Sequence, residues 1–254
     1  MGKISIRYED EGQVARLILD APKANILDEE MITALTSAVQ ALQSQPAVKL
    51  MVFEGAGRHF SFGSSVEEHQ AEPAKRMIPA FGNMFSTIID SAIPSAALVR
   101  GQCLGGGMEL AVFCNWVFAE PGAHFGQPEI QLAVFAPVAS LVLPGMIGQQ
   151  AADEICLTGR SFSAEEALRA GMVRTVAEDA EGALRAFIEG EILPKSAAAL
   201  RIANRASRSA LNAAFRNGWR EMERLYLEET MATFDANEGI AAFMEKRPPA
   251  WQHR

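Results

Sequence analysis

Apolar and polar residues alternate along residues 4–8 and again along 14–19, on either side of Glu11-Gly12. A period of two belongs to strands with one buried face, and the polar, glycine-containing gap predicts a hairpin. After Asp28 the period lengthens. Met31, Leu35, Val39 and Leu42 fall on one helical face, which predicts a helix capped by Asp28 and running to about Leu42. Residues 50–53 then read as a short buried strand closed by Gly55-Ala56-Gly57. Residues 58–69 read as a loop entering a short helix, and 77–89 as a further helix. A strand over 96–99, a helix over 107–114 and a strand over 116–119 follow. Strands separated by helices continue to about Val176; Ser163 and Glu166 have the spacing of a capping box, and Gly171 stops that helix. From Glu178 onward the pattern is almost wholly helical, with Trp219, Met222, Tyr226 and Leu227 as apolar anchors. These patterns predict an α/β core over residues 1–190 and a helical region over 191–254. No Pro-, Gly- or Ser-rich linker separates the two, so they are expected to pack together, with the helical layer available to a sister subunit.

Composition narrows the picture. A chain of 254 residues, 49% hydrophobic and 21% charged, is an ordinary globular protein large enough for a core and an appended element. A net charge of −8, with no basic run, argues against a nucleic-acid partner. The longest apolar stretch, 132–143, is interrupted by Pro137, and no membrane span is expected. The charged, alternating N-terminus does not read as a secretory signal. Cys103, Cys114 and Cys156 lie in apolar surroundings without CxxC spacing, which fits buried thiols in a reducing cytoplasm. His59, His69, His124 and His253 show no metal-ligand spacing with them, so no metal is expected.

The chemistry is concentrated in four stretches. Residues 101–110 place Gly105-Gly106-Gly107 between a strand and a helix, with Glu109 in the first helical turn. Unpaired N–H groups and the helix dipole at such a start suit an oxygen that gains negative charge during a reaction. Residues 60–69 form a second glycine turn opening a helix, Phe125-Gly126-Gln127-Pro128-Glu129 a glycine loop ending in a carboxylate, and residues 135–140 a proline-containing turn. Two loops offering one N–H each could clamp a carbonyl oxygen while Glu109 and Glu129 handle a proton or a water at the neighbouring carbons. Each feature alone has a plainer reading: a tight turn, an acid complementing a helix dipole, a solvated loop glutamate. Their conjunction favours an enzyme. GxGxxG and P-loop patterns are absent, and Ser64 and Ser65 near His69 lack the GxSxG setting of a serine nucleophile.

Together these motifs resemble the crotonase, or enoyl-CoA hydratase/isomerase, family from about Ile4 to Trp251. The resemblance is carried by LGGGMELA at 104–111, FGQPEI at 125–130 and TGRSFSAEEALRAGMV at 158–173. It implies an α/β, crotonase-like spiral of ββα repeats with a C-terminal helical trimerisation region, assembled as a homotrimer or a dimer of trimers. It implies an acyl-CoA thioester substrate, with CoA part of that substrate and no further cofactor. The thioester oxygen would sit between the N–H groups of Ser64 and Gly106. Lys23, Ala24 and Ile26 match the loop meeting the CoA nucleotide; Ser65 and Val66 match positions beside it, Val66 next to the adenine. Glu109 and Glu129 match the two acids of members that add or remove water. Trp251 and Arg247 are candidates to reach a neighbouring subunit's CoA.

Two departures refine the expectation. Gly63-Ser64-Ser65 stands where many members have Gly-Ala-Asp, and Pro137 falls at a glycine whose N–H would help hold the catalytic water. Both resemble a narrower group, the cyclohexa-1,5-diene-1-carbonyl-CoA hydratases, through GSSVEEH at 63–69 and VFAPVAS at 134–140. That resemblance implies 1,4-addition of water to a ring diene, giving 6-hydroxycyclohex-1-ene-1-carbonyl-CoA in anaerobic aromatic degradation. Phe60, Phe62, Val134 and Phe135 would then wall a flat apolar pocket, or else simply pack in the core. The alternatives are a general 2-enoyl-CoA hydratase/isomerase and a non-catalytic binding protein on the same fold.

Overall fold

The computed structural model describes residues 2–21 and 24–254. Strands β1 (Ile4–Glu9) and β2 (Val14–Leu19) form the expected antiparallel hairpin, Ile4 opposite Leu19 and Glu9 opposite Val14. Helix α1 (Glu29–Gln43) starts where the Asp28 side chain accepts the Met31 N–H, and it buries Met31, Leu35, Val39 and Leu42. After strand β3 (Leu50–Gly55), helix α2 (Ala71–Ser91) begins earlier than its periodicity predicts and runs through Pro79. Proline removes one helical hydrogen bond there. The buried face of Met77, Ile78, Phe81, Met84 and Phe85 is continuous across it and carries the helix through.

The next turns are β4 (Ser95–Val99), β5 (Gln102–Leu104), α3 (Gly106–Phe113), then β6 (Trp116–Ala119), β7 (His124–Gly126), α4 (Pro137–Ile147) and α5 (Gln149–Thr158). Strand β8 (Ser161–Ser163), helix α6 (Ala164–Arg169) and strand β9 (Thr175–Val176) complete the α/β part. Ser163 and Glu166 form the expected capping box. The main sheet has the order β1-β2-β3-β4-β6-β9 and is parallel beyond the hairpin; β5-β7-β8 form a second sheet, to which Ser61 adds by pairing with Cys103. Each turn of the chain therefore gives one strand to the main sheet, one short extended segment to the second, and then a helix. This is the expected ββα spiral.

Strand alternation sorts the core into two. Val52, Leu98 and Phe118 face helix α7 (Ala180–Phe187), which meets them with Ala180 and Leu184; Met51, Phe53, Ala97, Val99 and Val117 face the larger cluster with α1, α2 and α3. Beyond α7 the chain is helical: a π turn at Ile188–Ile192, then α8 (Ala197–Ser207), α9 (Ser209–Arg224), a second π turn at Leu225–Glu229, and α10 (Phe234–Glu245). Helix α9 closes over α2 and α3. A Cβ on Gly82 would lie 2.0 Å from the Trp219 indole, and Phe215 stacks among Phe85, Phe113 and Trp219 at 5.3–5.9 Å. Among the described residues, no helix is long and apolar enough to cross a membrane.

Candidate active site

The site is a seam between two glycine loops. Gly63, with φ +98°, lies against the turn into α3: a Cβ there would be 2.9 Å from the Leu104 carbonyl and 3.5 Å from the Gly106 nitrogen. Gly105, with φ +50°, faces the Gly63 Cα from the other side. Only glycine allows this approach, and it brings Ser64 beside Gly106. Gly106 is the first residue of α3, so its N–H has no partner within the helix. Ser64 sits in a parallel bridge to Leu27 in which the Gly63 carbonyl accepts from Leu27 and the Ser65 N–H donates back. The Ser64 N–H is left without a protein acceptor among the described residues.

Asn25, which the sequence reading passed over, holds the first loop in place. In a left-handed conformation (φ 46°) and 3% exposed, it donates to the carbonyls of Ala56, His59 and Phe60, and its own carbonyl accepts from the Ser61 hydroxyl. Ala24 and Ile26 flank it, the Ala24 carbonyl accepting from the Phe62 N–H; Lys23 lies outside the described residues. Ser65 and Val66 are half-buried on the same loop.

Both glutamates converge on the seam. Glu109 is 2% exposed, and its Oε1 accepts the N–H groups of Val138 and Ala139, each at 2.8 Å. These donors open α4, whose first residue is Pro137 and has no N–H to give. Burial pushes Glu109 up to about 7, while the two N–H bonds act in the opposite direction. Glu129 follows β7, and its Oε1 lies 2.6 Å from where a Cβ on Gly105 would stand. The buried Gln127 carboxamide, with its NH₂ toward Glu129, donates to both carboxylate oxygens at 3.1 and 3.2 Å. Burial, and then the charge of Glu109, push Glu129 well above the ordinary carboxylate range. Burial raises both carboxyls, and the two titrate as a coupled pair.

The aromatic positions separate. Phe60 is wholly buried in the main core, and Phe62 is exposed and meets His59 edge-on at 4.9 Å. Phe135 is half-buried and packs on Tyr226 at 5.3 Å beside the buried Val134. Tyr226 adds chemistry that periodicity could not reveal. Its hydroxyl is 2.6 Å from His69 Nδ1, and the phenol is pushed up by burial and then by the charges of Glu129 and Glu109. His69, lowered to about 4 by burial, is a neutral partner of this tyrosine and not of Ser64 or Ser65. Glu68 accepts the Glu29 N–H at the start of α1, away from the seam. Arg247 pairs with Glu238 and Glu245, and Trp251 is exposed.

An α/β spiral that brings two glycine-loop N–H groups and a buried pair of carboxyls to one seam defines a class, and the comparisons agree with it. The family described as enoyl-CoA hydratase/isomerase matches residues 9–254. The chain belongs to this family and is an enzyme of its hydro-lyase class. It is 41% identical over 251 residues to the cyclohexa-1,5-dienecarbonyl-CoA hydratase of Thauera aromatica, covering 99% of this chain and 97% of that one. It is 32% identical over 250 residues to the crotonyl-CoA hydratase of Syntrophomonas wolfei, covering 96% of each. Among solved structures, an enoyl-CoA hydratase from Mycobacterium avium subsp. paratuberculosis superposes with a TM-score of 0.86 over 98% of both chains, at 24% identity.

Proposed function

We propose that this protein adds water 1,4 across cyclohexa-1,5-diene-1-carbonyl-CoA, giving 6-hydroxycyclohex-1-ene-1-carbonyl-CoA. In this reading the thioester oxygen lies between the Ser64 and Gly106 N–H groups. Ionised Glu109 takes a proton from water as the water oxygen bonds to the β ring carbon. The electron pair moves to the thioester oxygen and through the remaining ring double bond as a dienolate. Protonated Glu129 delivers its proton to the far end of that dienolate, and the double bond shifts into conjugation with the thioester. The hole is essential because a dienolate is too basic to form beside a carboxylate unless its oxygen is held. Tyr226 and Phe135 flank the apolar end.

The observation that carries the ring reading is the start of α4. Pro137 offers no N–H, and the next two donors are occupied by Glu109, so water is left to the carboxylates alone. A relative 41% identical to this chain is named as a cyclohexa-1,5-dienecarbonyl-CoA hydratase, in keeping with this reading. The enzyme is read as cytoplasmic and as a homotrimer or dimer of trimers.

The test is to incubate the protein separately with the diene thioester and with crotonyl-CoA, following mass and absorbance. Hydration of the diene with little action on crotonyl-CoA is expected, and Glu129→Gln should then lose roughly a thousandfold in kcat. Fast hydration of crotonyl-CoA alone would replace this reading with a general 2-enoyl-CoA hydratase. Turnover of neither would favour another acyl-CoA or a binding role.

A further inference from the structure

Ser64 brings more than its backbone to the seam. A Cβ built on Gly106 would fall 2.4 Å from Ser64 Oγ, so the hydroxyl stands directly over the first residue of α3. It makes no hydrogen bond to protein among the described residues. The neighbouring Ser61 is different, since its hydroxyl donates to the Asn25 carbonyl at 2.7 Å and accepts the Gly63 N–H at 3.0 Å. One serine of this loop is therefore occupied in holding the turn, while the other presents an uncommitted donor beside the Ser64 and Gly106 N–H groups. Phe81, whose ring lies 3.1 Å from the same built Cβ, closes the far side and keeps the spot apolar.

We propose that the Ser64 hydroxyl is a third hydrogen-bond donor to the thioester oxygen, an assignment that rests on the acyl-CoA reading above. In either gauche rotamer a serine hydroxyl lies within about 3 Å of its own backbone nitrogen, so an oxygen held by the Ser64 N–H is within reach of Oγ by rotation about χ1. The bond strengthens as the oxygen gains charge, so it acts on the chemical step more than on binding. A third donor adds to the stabilisation of any enolate oxygen formed here. A dienolate spreads its charge away from the oxygen, and a third donor draws that charge back toward the thioester.

The experiment uses a chromophoric unsaturated thioester, cinnamoyl-CoA, as a reporter of carbonyl polarisation, alongside kinetics on every acyl-CoA the wild-type protein turns over. Ser64→Ala keeps the backbone N–H and removes only the hydroxyl; Ser64→Thr restores it. Wild-type protein should red-shift the bound chromophore. Ser64→Ala should lose a clear part of that shift and about tenfold in kcat, with KM within twofold, on ring and linear substrates alike. Ser64→Thr should recover both. A full shift and wild-type kcat in Ser64→Ala would overturn the assignment, as would a loss of kcat with no change in the spectrum. Absence of any shift in the wild-type protein would overturn the acyl-CoA reading itself, and this assignment with it.

Discussion

At the residue scale, the two glutamates are alike in the sequence and are made different by their surroundings. Glu109 is buried and accepts two N–H groups at a helix start, Glu129 is buried and accepts from the Gln127 carboxamide, and the two lie close enough to titrate together. Catalysis should follow the raised Glu109 carboxyl, with kcat falling below about pH 7 as it takes up a proton. Stability follows with the opposite sign. The folded chain holds the Glu109 proton up to about pH 7, against an ordinary value of 4.5, so it binds more protons than the unfolded chain within that window. This carboxyl costs nothing below about pH 4.5, and its cost grows as pH rises through 7. Glu109→Gln should therefore be inactive yet more stable than wild type at pH 8, by about 3 kcal/mol, and no more stable at pH 4. Urea denaturation at the two pH values checks both signs, and equal stability at pH 8 would show that the buried carboxylate carries no such penalty.

At the element scale, the start of α4 and the second π turn decide most. Pro137→Gly would place an N–H beside the water site, so crotonyl-CoA hydration should rise at least tenfold relative to the ring diene; an unchanged ratio would remove Pro137 from the argument. The π turn at Leu225–Glu229 points Tyr226 inward onto His69 and Phe135, linking the segment after Ser64 to the loop that follows Glu129. Tyr226→Phe leaves a buried imidazole without its partner and should cost about 2 kcal/mol of stability. A thermal shift within error of wild type would mean that water replaces the hydroxyl.

At the scale of the whole molecule, the C-terminal helices both complete the core and leave apolar side chains outside it. Trp219 and Phe215 are buried against α2 and α3, while Phe234, Phe243, Met244 and Trp251 are 39–58% exposed. A set of large apolar residues on one terminal segment is costly to leave in water. Sedimentation should therefore find a trimer or hexamer, and Phe243→Asp should shift it toward the monomer. A wild-type monomer at micromolar concentration would dismiss the assembly.

The local elements were legible because their signals are local. Alternation marked the hairpin, Asp28 its helix and Ser163 the capping box, and each depends on residues a few positions apart. The glycine clusters and the two acids were legible as motifs for the same reason. Strand β5 was not, because three residues in a glycine-rich turn carry no measurable period and become a strand only by pairing with β7. Asn25, Gln127 and Tyr226 were not read as site residues, because their roles depend on partners brought near only by the spiral: Phe60 for Asn25, a neighbouring carboxylate for Gln127, and His69 from the far end of the chain for Tyr226. By itself, then, the sequence determined which segments become strands and helices and which residue types could do chemistry. The tertiary structure alone decided that the two carboxyls are buried together and raised, and which hydroxyl is left free, because burial and charge at a point in space are sums over residues distant in the chain.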